Sequence, residues 1–233
     1  MKCLIIAAGQ GTRLRTRAPS KPLAPLGGVS LIEHVIRLAH EGGATSFTVV
    51  TGYRGREVEK FLSDINIEAP IETIRNRDWK RPNGHSVLAA ADILEDEFLL
   101  LMSDHLFDPA ILRRLLAAPS PAALTLAADY DIANPRLDID DATKLEVDGS
   151  GKIRRIGKAL ESYNAIDTGI FRATPALPQA LRQSLLSGGT GSLSEGVALL
   201  AERGEAEAFD IGASWWLDVD DEAAFAKAEA KLR

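Results

Sequence analysis

Short apolar runs alternate with longer amphipathic stretches through the first half of the chain. The runs at Lys2 to Ala8, Ser46 to Thr51, Ile71 to Ile74, Phe98 to Met102 and Ala123 to Ala127 predict buried strands. Between them, Ser30 to His40, Arg54 to Leu62, Ser86 to Leu94 and Pro109 to Ala117 carry apolar residues at helical spacing. Strands and helices that take turns imply βαβ units and a parallel sheet, because parallel neighbours need a crossover. A doubly wound α/β layer is expected. After Asp129 the pattern changes. Lys144 to Val147, Lys152 to Ile156 and Ile166 to Phe171 are short strand-like runs separated by turn signals such as Asp148-Gly149-Ser150-Gly151, which predicts an antiparallel, lid-like extension. Helices over Pro175 to Leu186 and Ser192 to Glu202 flank a glycine-rich loop, and a strand over Glu205 to Asp210 and a terminal helix from Asp220 follow. No repeat or long Pro/Gly/Ser linker interrupts the chain, so one domain is expected over 1–233, with halves at 1–128 and 129–233.

Composition narrows the function classes. The chain has 233 residues, 45% hydrophobic and 26% charged, enough to bury a core without disulfide or metal staples. Twenty-seven basic against 33 acidic residues leave a net charge of −6, which argues against a broad phosphate-neutralising surface for nucleic acid but not against a local basic pocket. The single Cys3 cannot form an internal disulfide and lies in an apolar run, so a buried thiol in a reducing cytoplasm is expected. The apolar stretch Leu4 to Ala8 is too short for a signal-peptide core or a membrane span, so no membrane insertion is expected.

Candidate chemistry begins where the first strand ends. In Gly9-Gln10-Gly11-Thr12-Arg13-Leu14, glycines let backbone N–H groups approach a phosphate. The loop lacks the Gly-Lys-Ser/Thr of a Walker A motif, and Leu14 stands where a dinucleotide fingerprint has its third glycine. The nearby cations therefore matter: Arg13 can fork onto phosphate oxygens, and Lys21, bracketed by Pro19 and Pro22, supplies a point charge. Arg15 and Arg17 read as solvated surface. Asp104, in Met102-Ser103-Asp104-His105, follows an apolar strand, where ligands of open α/β sheets bind, and a carboxylate there suits Mg²⁺; capping of the helix near Pro109 is its other reading. His105 reads as a hydrogen-bonded neighbour. In Trp215-Trp216-Leu217-Asp218-Val219-Asp220-Asp221, strand alternation points Asp218 and Asp220 to one side, while Asp221 equally suits a helix cap. Asn83, Gly84 and Ser86 offer amide, bare backbone and hydroxyl groups to a base edge, or simply cap a helix.

The stretch Leu4 to Leu14 followed by Ser20-Lys21-Pro22-Leu23 closely resembles the signature of the sugar-nucleotidyltransferase superfamily. The resemblance implies a Rossmann-like fold of the nucleotide-diphospho-sugar transferase type, with 1–128 binding nucleotide and 129–233 binding acceptor. It implies that an acceptor phosphate attacks the α-phosphorus of a nucleoside triphosphate and releases pyrophosphate. Ala7, Ala8, Gly9, Gly11, Thr12 and Arg13 would hold the triphosphate, Lys21 would steady the attacked phosphate, and Asp104 with Asp218 or Asp220 would bind Mg²⁺. The Asn83-Gly84-x-Ser86 pattern, Asp104-His105 and the Trp-x-Asp-Val-Asp ending are similar to the cytidylyltransferases that use inositol 1-phosphate, phosphocholine or aminophosphonates. That likeness implies CTP and a small phosphorylated alcohol as partners, with Lys158 at the acceptor phosphate and Asp167 and Gly169 at its hydroxyls. Ile156-Gly157-Lys158-Ala159 keeps only the lysine of the Glu-Lys-Pro of sugar-specific members, which points away from a hexose acceptor. Lys144 is expected to be solvated. Sugar-1-phosphate transfer and a silent nucleotide-binding module are the alternatives, the latter opposed by the presence together of Arg13, Lys21 and Asp104.

Overall fold

The computed structural model describes residues 1–14, 16–134 and 138–232, so Arg15 lies outside the described residues. In chain order these form β1 (Lys2–Ala7), β2 (Pro25–Leu26), β3 (Val29–Ser30), α1 (Leu31–Glu41), β4 (Ser46–Thr51), α2 (Gly55–Asp64), β5 (Ile71–Arg75), α3 (Gly84–Ala89), β6 (Phe98–Met102) and β7 (His105–Phe107). The chain continues through α4 (Pro109–Ala117), β8 (Leu124–Asp129), β9 (Lys144–Val147), β10 (Ile153–Gly157), β11 (Ala165–Ala173), α5 (Ala176–Leu186), α6 (Leu193–Glu202), β12 (Ala206–Asp210), β13 (Trp216–Asp218) and α7 (Glu222–Leu232).

β1 is apolar because it is buried on both faces: Cys3, Ile5 and Ala7 join one core, Leu4 and Ile6 the other. It pairs in parallel with β4 on one side and β6 on the other, and β4 pairs in parallel with β5. The strand order therefore reverses between β1 and β6, which opens a crevice at their carboxyl ends. One core holds β1 against α1, α2, α4 and α7 through Val35, Val58, Leu112 and Phe225; the other packs α3, α5 and α6 through Val87, Leu181 and Val197. Truncating a fully buried side chain such as Phe47 to alanine would cost roughly 3–5 kcal/mol.

β11 carries the sheet into the second half. It runs antiparallel to β6, β8 and β9, so the antiparallel extension is continuous with the parallel layer. β12 joins β8 in parallel.

Several boundaries differ from the sequence expectation. The helix expected over Ser86 to Leu94 spans Gly84–Ala89, and a separate 3₁₀ turn, Ala91–Ile93, follows. The terminal helix begins at Glu222 because Asp221 caps it, accepting the Ala224 N–H at 2.8 Å. Asp104 is not a cap, since Asp108 caps α4 by accepting the Ala110 N–H at 2.9 Å. Lys144 is buried rather than solvated: its ammonium donates to the Lys158 carbonyl at 2.8 Å and lies over the Tyr163 ring. Cys3 is fully buried, and burial pushes its thiol pKa up. No helix among the described residues is long and apolar enough to cross a membrane.

Candidate active site

A two-stranded ribbon assembles the carboxylates. β7 and β13 pair antiparallel with His105 opposite Asp218, although more than a hundred residues separate them in sequence. The Val219 N–H donates to the Asp104 carbonyl at 3.0 Å, and the Asp108 N–H to the Trp215 carbonyl at 2.9 Å. These bonds bring Asp218 and Asp220 beside Asp104 at the end of β6.

Lys21 enters from the other side. It opens a 3₁₀ turn, Lys21–Leu23, and its side chain is only 6% exposed. Its ammonium donates to Asp104 Oδ2 at 2.5 Å and to Asp220 Oδ1. Gly11 makes room for the stem: it has φ +55, and a Cβ there would collide with the Cβ of Lys21. Burial works against the Lys21 charge, but Asp104, Asp220 and Asp218 overcome it and raise the pKa. Arg13 donates to Asp220 and, at 2.8 Å, to Asp141, which also accepts from Lys158.

His105 completes the cluster. Its Nδ1 donates to the Thr168 carbonyl at 2.7 Å, and its Nε2 faces Asp218 Oδ2 at 3.5 Å and Asp104 Oδ1 at 3.8 Å. Burial opposes its charge, yet Asp218 and Asp104 push its pKa up to about 10. In turn burial raises the Asp218 carboxyl, and His105, Lys21 and Arg13 prevail and hold it at about 2. Gly169 has φ +74 and gives the imidazole its space, since a Cβ there would collide with His105 Nδ1. Asp104, His105 and Asp218 each offer a ligand atom, all within 4.8 Å of one another, and Asp218 Oδ1 is buried without a hydrogen-bond partner. Two hard oxygen donors and an orphaned buried oxygen fit a divalent cation.

Two cavities meet at this cluster. The smaller, about 410 Å³, is lined by Ala8, Gly9, Gly11, Lys21, Asn83, Ser86 and Asp104, together with Trp79 and Arg81. The larger, about 510 Å³, is lined by Arg13, Lys158, Asp167, Gly169, Asp141 and Ser194, among others. Asn83, Met102, His105, Asp218 and Asp220 border both.

Not every sequence candidate lies where the motif suggested. Ala7 packs in the core, and Thr12 is an exposed residue of a single 3₁₀ turn; neither lines either cavity, because β1 still runs through Ala7 and the turn after Gly11 faces Thr12 outward. Arg13 lines the larger cavity rather than the smaller one with the glycines, drawn there by Asp141. Gly84 packs against the loop before α6. Asn83 holds the N-cap position of α3, but neither its side chain nor that of Ser86 caps the helix: Asn83 Oδ1 accepts the Leu193 N–H at 2.9 Å, and Ser86 Oγ accepts from Asn76 Nδ2 at 3.2 Å. Asp167 accepts the Gly169 N–H at 2.7 Å, and burial pushes its carboxyl up to about 6. The sequence reading missed Asp141 and Trp79; Trp79 stands just before the Asn83-Gly84-x-Ser86 pattern, whereas nothing local marks Asp141.

A glycine loop at a strand-order reversal, with a buried lysine and carboxylates gathered beside it, is the architecture of an α/β protein that handles nucleoside triphosphates. Residues 3–166 match the family model of the MobA-like NTP transferase domain, and the chain belongs to that family. It is 34% identical over 219 residues to a "Bifunctional IPC transferase and DIPP synthase" of Rubrobacter xylanophilus, covering 93% of this chain and 48% of the relative. A protein of the same description from Aquifex aeolicus is 28% identical over 98% of this chain and 51% of its own. The chain thus spans about half the length of these curated relatives. Its fold is similar to a solved structure described as the inositol-1-phosphate CTP transferase from T. maritima, with TM-score 0.86 and 24% identity, covering 99% of this chain and 95% of that one.

Proposed function

We propose that the chain is a Mg²⁺-dependent cytidylyltransferase that joins CMP from CTP to a small phosphorylated alcohol, inositol 1-phosphate first among them, and releases pyrophosphate in the cytoplasm. The observation that carries this reading is the meeting of two cavities at His105, Asp218 and Asp220, with Lys21 and Asp104 bonded to that border from the side of the smaller cavity. A donor and an acceptor can each occupy one cavity and present phosphates to the same charged seam. The likeness to the inositol-1-phosphate CTP transferase of T. maritima, together with that to the IPC transferases, supports the choice of CTP and inositol 1-phosphate.

On this reading the smaller cavity takes the triphosphate on Ala8, Gly9 and Gly11, with Asn83 and Ser86 toward the base. The acceptor phosphate lies between Arg13 and Lys158, with Asp167 at a hydroxyl. Its oxygen attacks the α-phosphorus, the bond to the β-phosphate oxygen breaks, and pyrophosphate leaves with the electron pair. An acceptor phosphate is already anionic, so no strong general base is required, and catalysis is alignment plus charge stabilisation. Lys21 supplies positive charge at the α-phosphate from a buried position. Arg13 uses Nη2 for its two carboxylates and keeps its other N–H groups for phosphate. Asp104 and Asp218, flanked by His105, are the residues that would hold Mg²⁺, with Asp220 engaged by Lys21 and Arg13. When bound there, the cation would neutralise phosphate charge.

The deciding experiment measures pyrophosphate release for CTP, UTP, dTTP and ATP against inositol 1-phosphate, choline phosphate, 2-aminoethylphosphonate and glucose 1-phosphate. CTP with inositol 1-phosphate should dominate. A dominant rate with glucose 1-phosphate or with UTP overturns the assignment. Choline phosphate and 2-aminoethylphosphonate are the second reading, favoured by the carboxylates of Asp138, Asp141 and Asp167 around the larger cavity.

A further inference from the structure

The smaller cavity has an aromatic wall that the phosphate-handling residues do not explain. Trp79 borders it beside Ala8, Gly9, Gly11 and Arg81, and is the only tryptophan, tyrosine or phenylalanine lining it among the described residues. The indole is half-buried, and the ammonium of exposed Lys80 lies over its ring at 5.5 Å from the centroid, a flexible side chain that a stacked base would displace. The Tyr53 ring packs on it with centroids 5.2 Å apart and planes at 60°. Gly52 passes so close that a Cβ there would lie 2.5 Å from Trp79 Cβ and 2.6 Å from the Ala8 carbonyl oxygen. Trp79, the end of β4 and the start of the glycine loop are therefore in direct contact.

The turn that carries Trp79 is also built. Buried Asn76 donates its own N–H to the Thr51 carbonyl at 2.8 Å and accepts the Asp78 N–H on Oδ1 at 2.8 Å. Its Nδ2 donates to Ser86 Oγ, and the Arg81 N–H closes the turn on the Asp78 carbonyl at 2.8 Å. Asn76 thus fixes the indole relative to Ser86, another residue of the same cavity. A fixed aromatic face beside a phosphate-accepting loop matches the two ends of one nucleotide, its charged phosphates and its flat base.

We propose that Trp79 is the platform on which the nucleotide base lies, an affinity-determining residue that is indifferent to which base it carries. The inference rests on the reading that this cavity takes a nucleoside triphosphate. Every base has a π-face, so stacking adds affinity without selecting among bases. The edge groups of Asn83 and Ser86 then carry selection, and Trp79 carries the grip.

The test compares Trp79→Ala and Trp79→Phe with the parent chain. Binding of CTP and of UTP is measured by calorimetry without acceptor, and nucleotide-induced quenching of tryptophan fluorescence is recorded alongside. Trp79→Ala should weaken both nucleotides by a similar factor, roughly tenfold to a hundredfold, the scale of one lost base stack. Trp79→Phe should recover most of the affinity while losing the quench, with Trp215 and Trp216 still present to report a folded protein. If Trp79→Ala binds nucleotide like the parent, or if Trp79→Phe keeps the full quench, the proposal fails. So does a loss confined to one of the two bases. Should Trp79→Ala not fold, the Trp79→Phe quench decides alone. Nucleotide binding that depends on Trp79 in this way, without pyrophosphate release from any acceptor, would sink the transferase reading and still support the platform role of Trp79.

Discussion

The two cavities are built by different means. The smaller one gathers at the carboxyl ends of parallel strands of one sheet, with Ala8, Gly9 and Gly11 after β1, Ser103 and Asp104 after β6 and Trp79 after β5. The larger one is made of side chains from scattered segments: Arg13, Asp141, Lys158, Asp167 on β11, Ser194 on α6, Asp218 on β13 and Lys227 on α7. A site made at strand ends is fixed by the sheet itself. A site made of long side chains from many segments can change its chemistry without disturbing the sheet. On the proposed reading, the acceptor cavity could therefore change its preference while the strand-end loop that takes the triphosphate stays as it is.

The seam between the cavities should be the most sensitive place. Asp104→Asn and Lys21→Met are each expected to lower turnover by about 10³ or more, since each removes a preorganised charge at the reacting phosphate. Arg13→Ala, on the acceptor side, should cost about 10² and raise the acceptor KM more than the nucleotide KM. Steady-state kinetics with folding checked by circular dichroism decide this; equal effects of Arg13→Ala on both KM values would erase the distinction between the cavities.

Asp167→Asn should act on the acceptor alone, raising its KM about tenfold and leaving the nucleotide KM unchanged. The carboxyl of Asp167 sits at about 6 because burial disfavours its charge. As pH falls from about 7 to about 5 the parent should lose more acceptor affinity than the asparagine variant, the part common to both coming from titration of the acceptor's own phosphate near pH 6. The raised pKa also means that the native state binds this proton more tightly than the unfolded chain. The charged carboxylate therefore weighs against folding above its native pKa, and Asp167→Asn should melt higher at neutral pH, with the difference vanishing below the unfolded pKa.

The smallest effect is expected where the two halves are tied together. Glu195 accepts from Ser184 Oγ at 2.6 Å, Thr190 Oγ1 at 2.8 Å and the Gly191 N–H at 2.8 Å, and so holds the loop that meets His85 and Asn83. Burial raises its carboxyl, and these donors prevail and hold it at about 2. Its stabilisation is complete above the unfolded pKa of about 4.5 and is lost as pH falls toward 2. Glu195→Gln should therefore cost roughly 1–2 kcal/mol at neutral pH, flatten the acid dependence of thermal unfolding and change turnover by less than threefold. A large drop in turnover would show the loop to be part of the site.

The parallel layer was legible because its central strands are largely apolar runs whose neighbours are set by crossover rules: Ser46–Thr51 and Phe98–Met102 form with the bounds expected, and only the edge strand β5 mixes polar with apolar residues. The glycine loop, Lys21 and Asp104 were legible as a spacing. The β7 and β13 ribbon was not, because strands of three residues carry no periodicity and their pairing spans the chain. Lys144 misled because a lysine on a short strand looks solvated until a carbonyl and an aromatic ring are folded around it. Asp141 was invisible for a related reason: its meaning comes from Arg13 and Lys158, which only the fold brings to it.

The interleaving of Arg13, Lys21 and His105 with Asp104, Asp218 and Asp220 makes the cluster its own counter-ion lattice. An arriving ligand does not meet bare charge; it must trade partners with groups that are already matched. A singly charged anion that drew Lys21 away would strand Asp104 and Asp220 in a partly buried setting, an unfavourable exchange. A polyphosphate that arrives with a divalent cation supplies both signs at once and leaves neither set of residues unmatched. Charge matching of this kind is a filter in itself, one that excludes small monoanions before any base or hydroxyl is read.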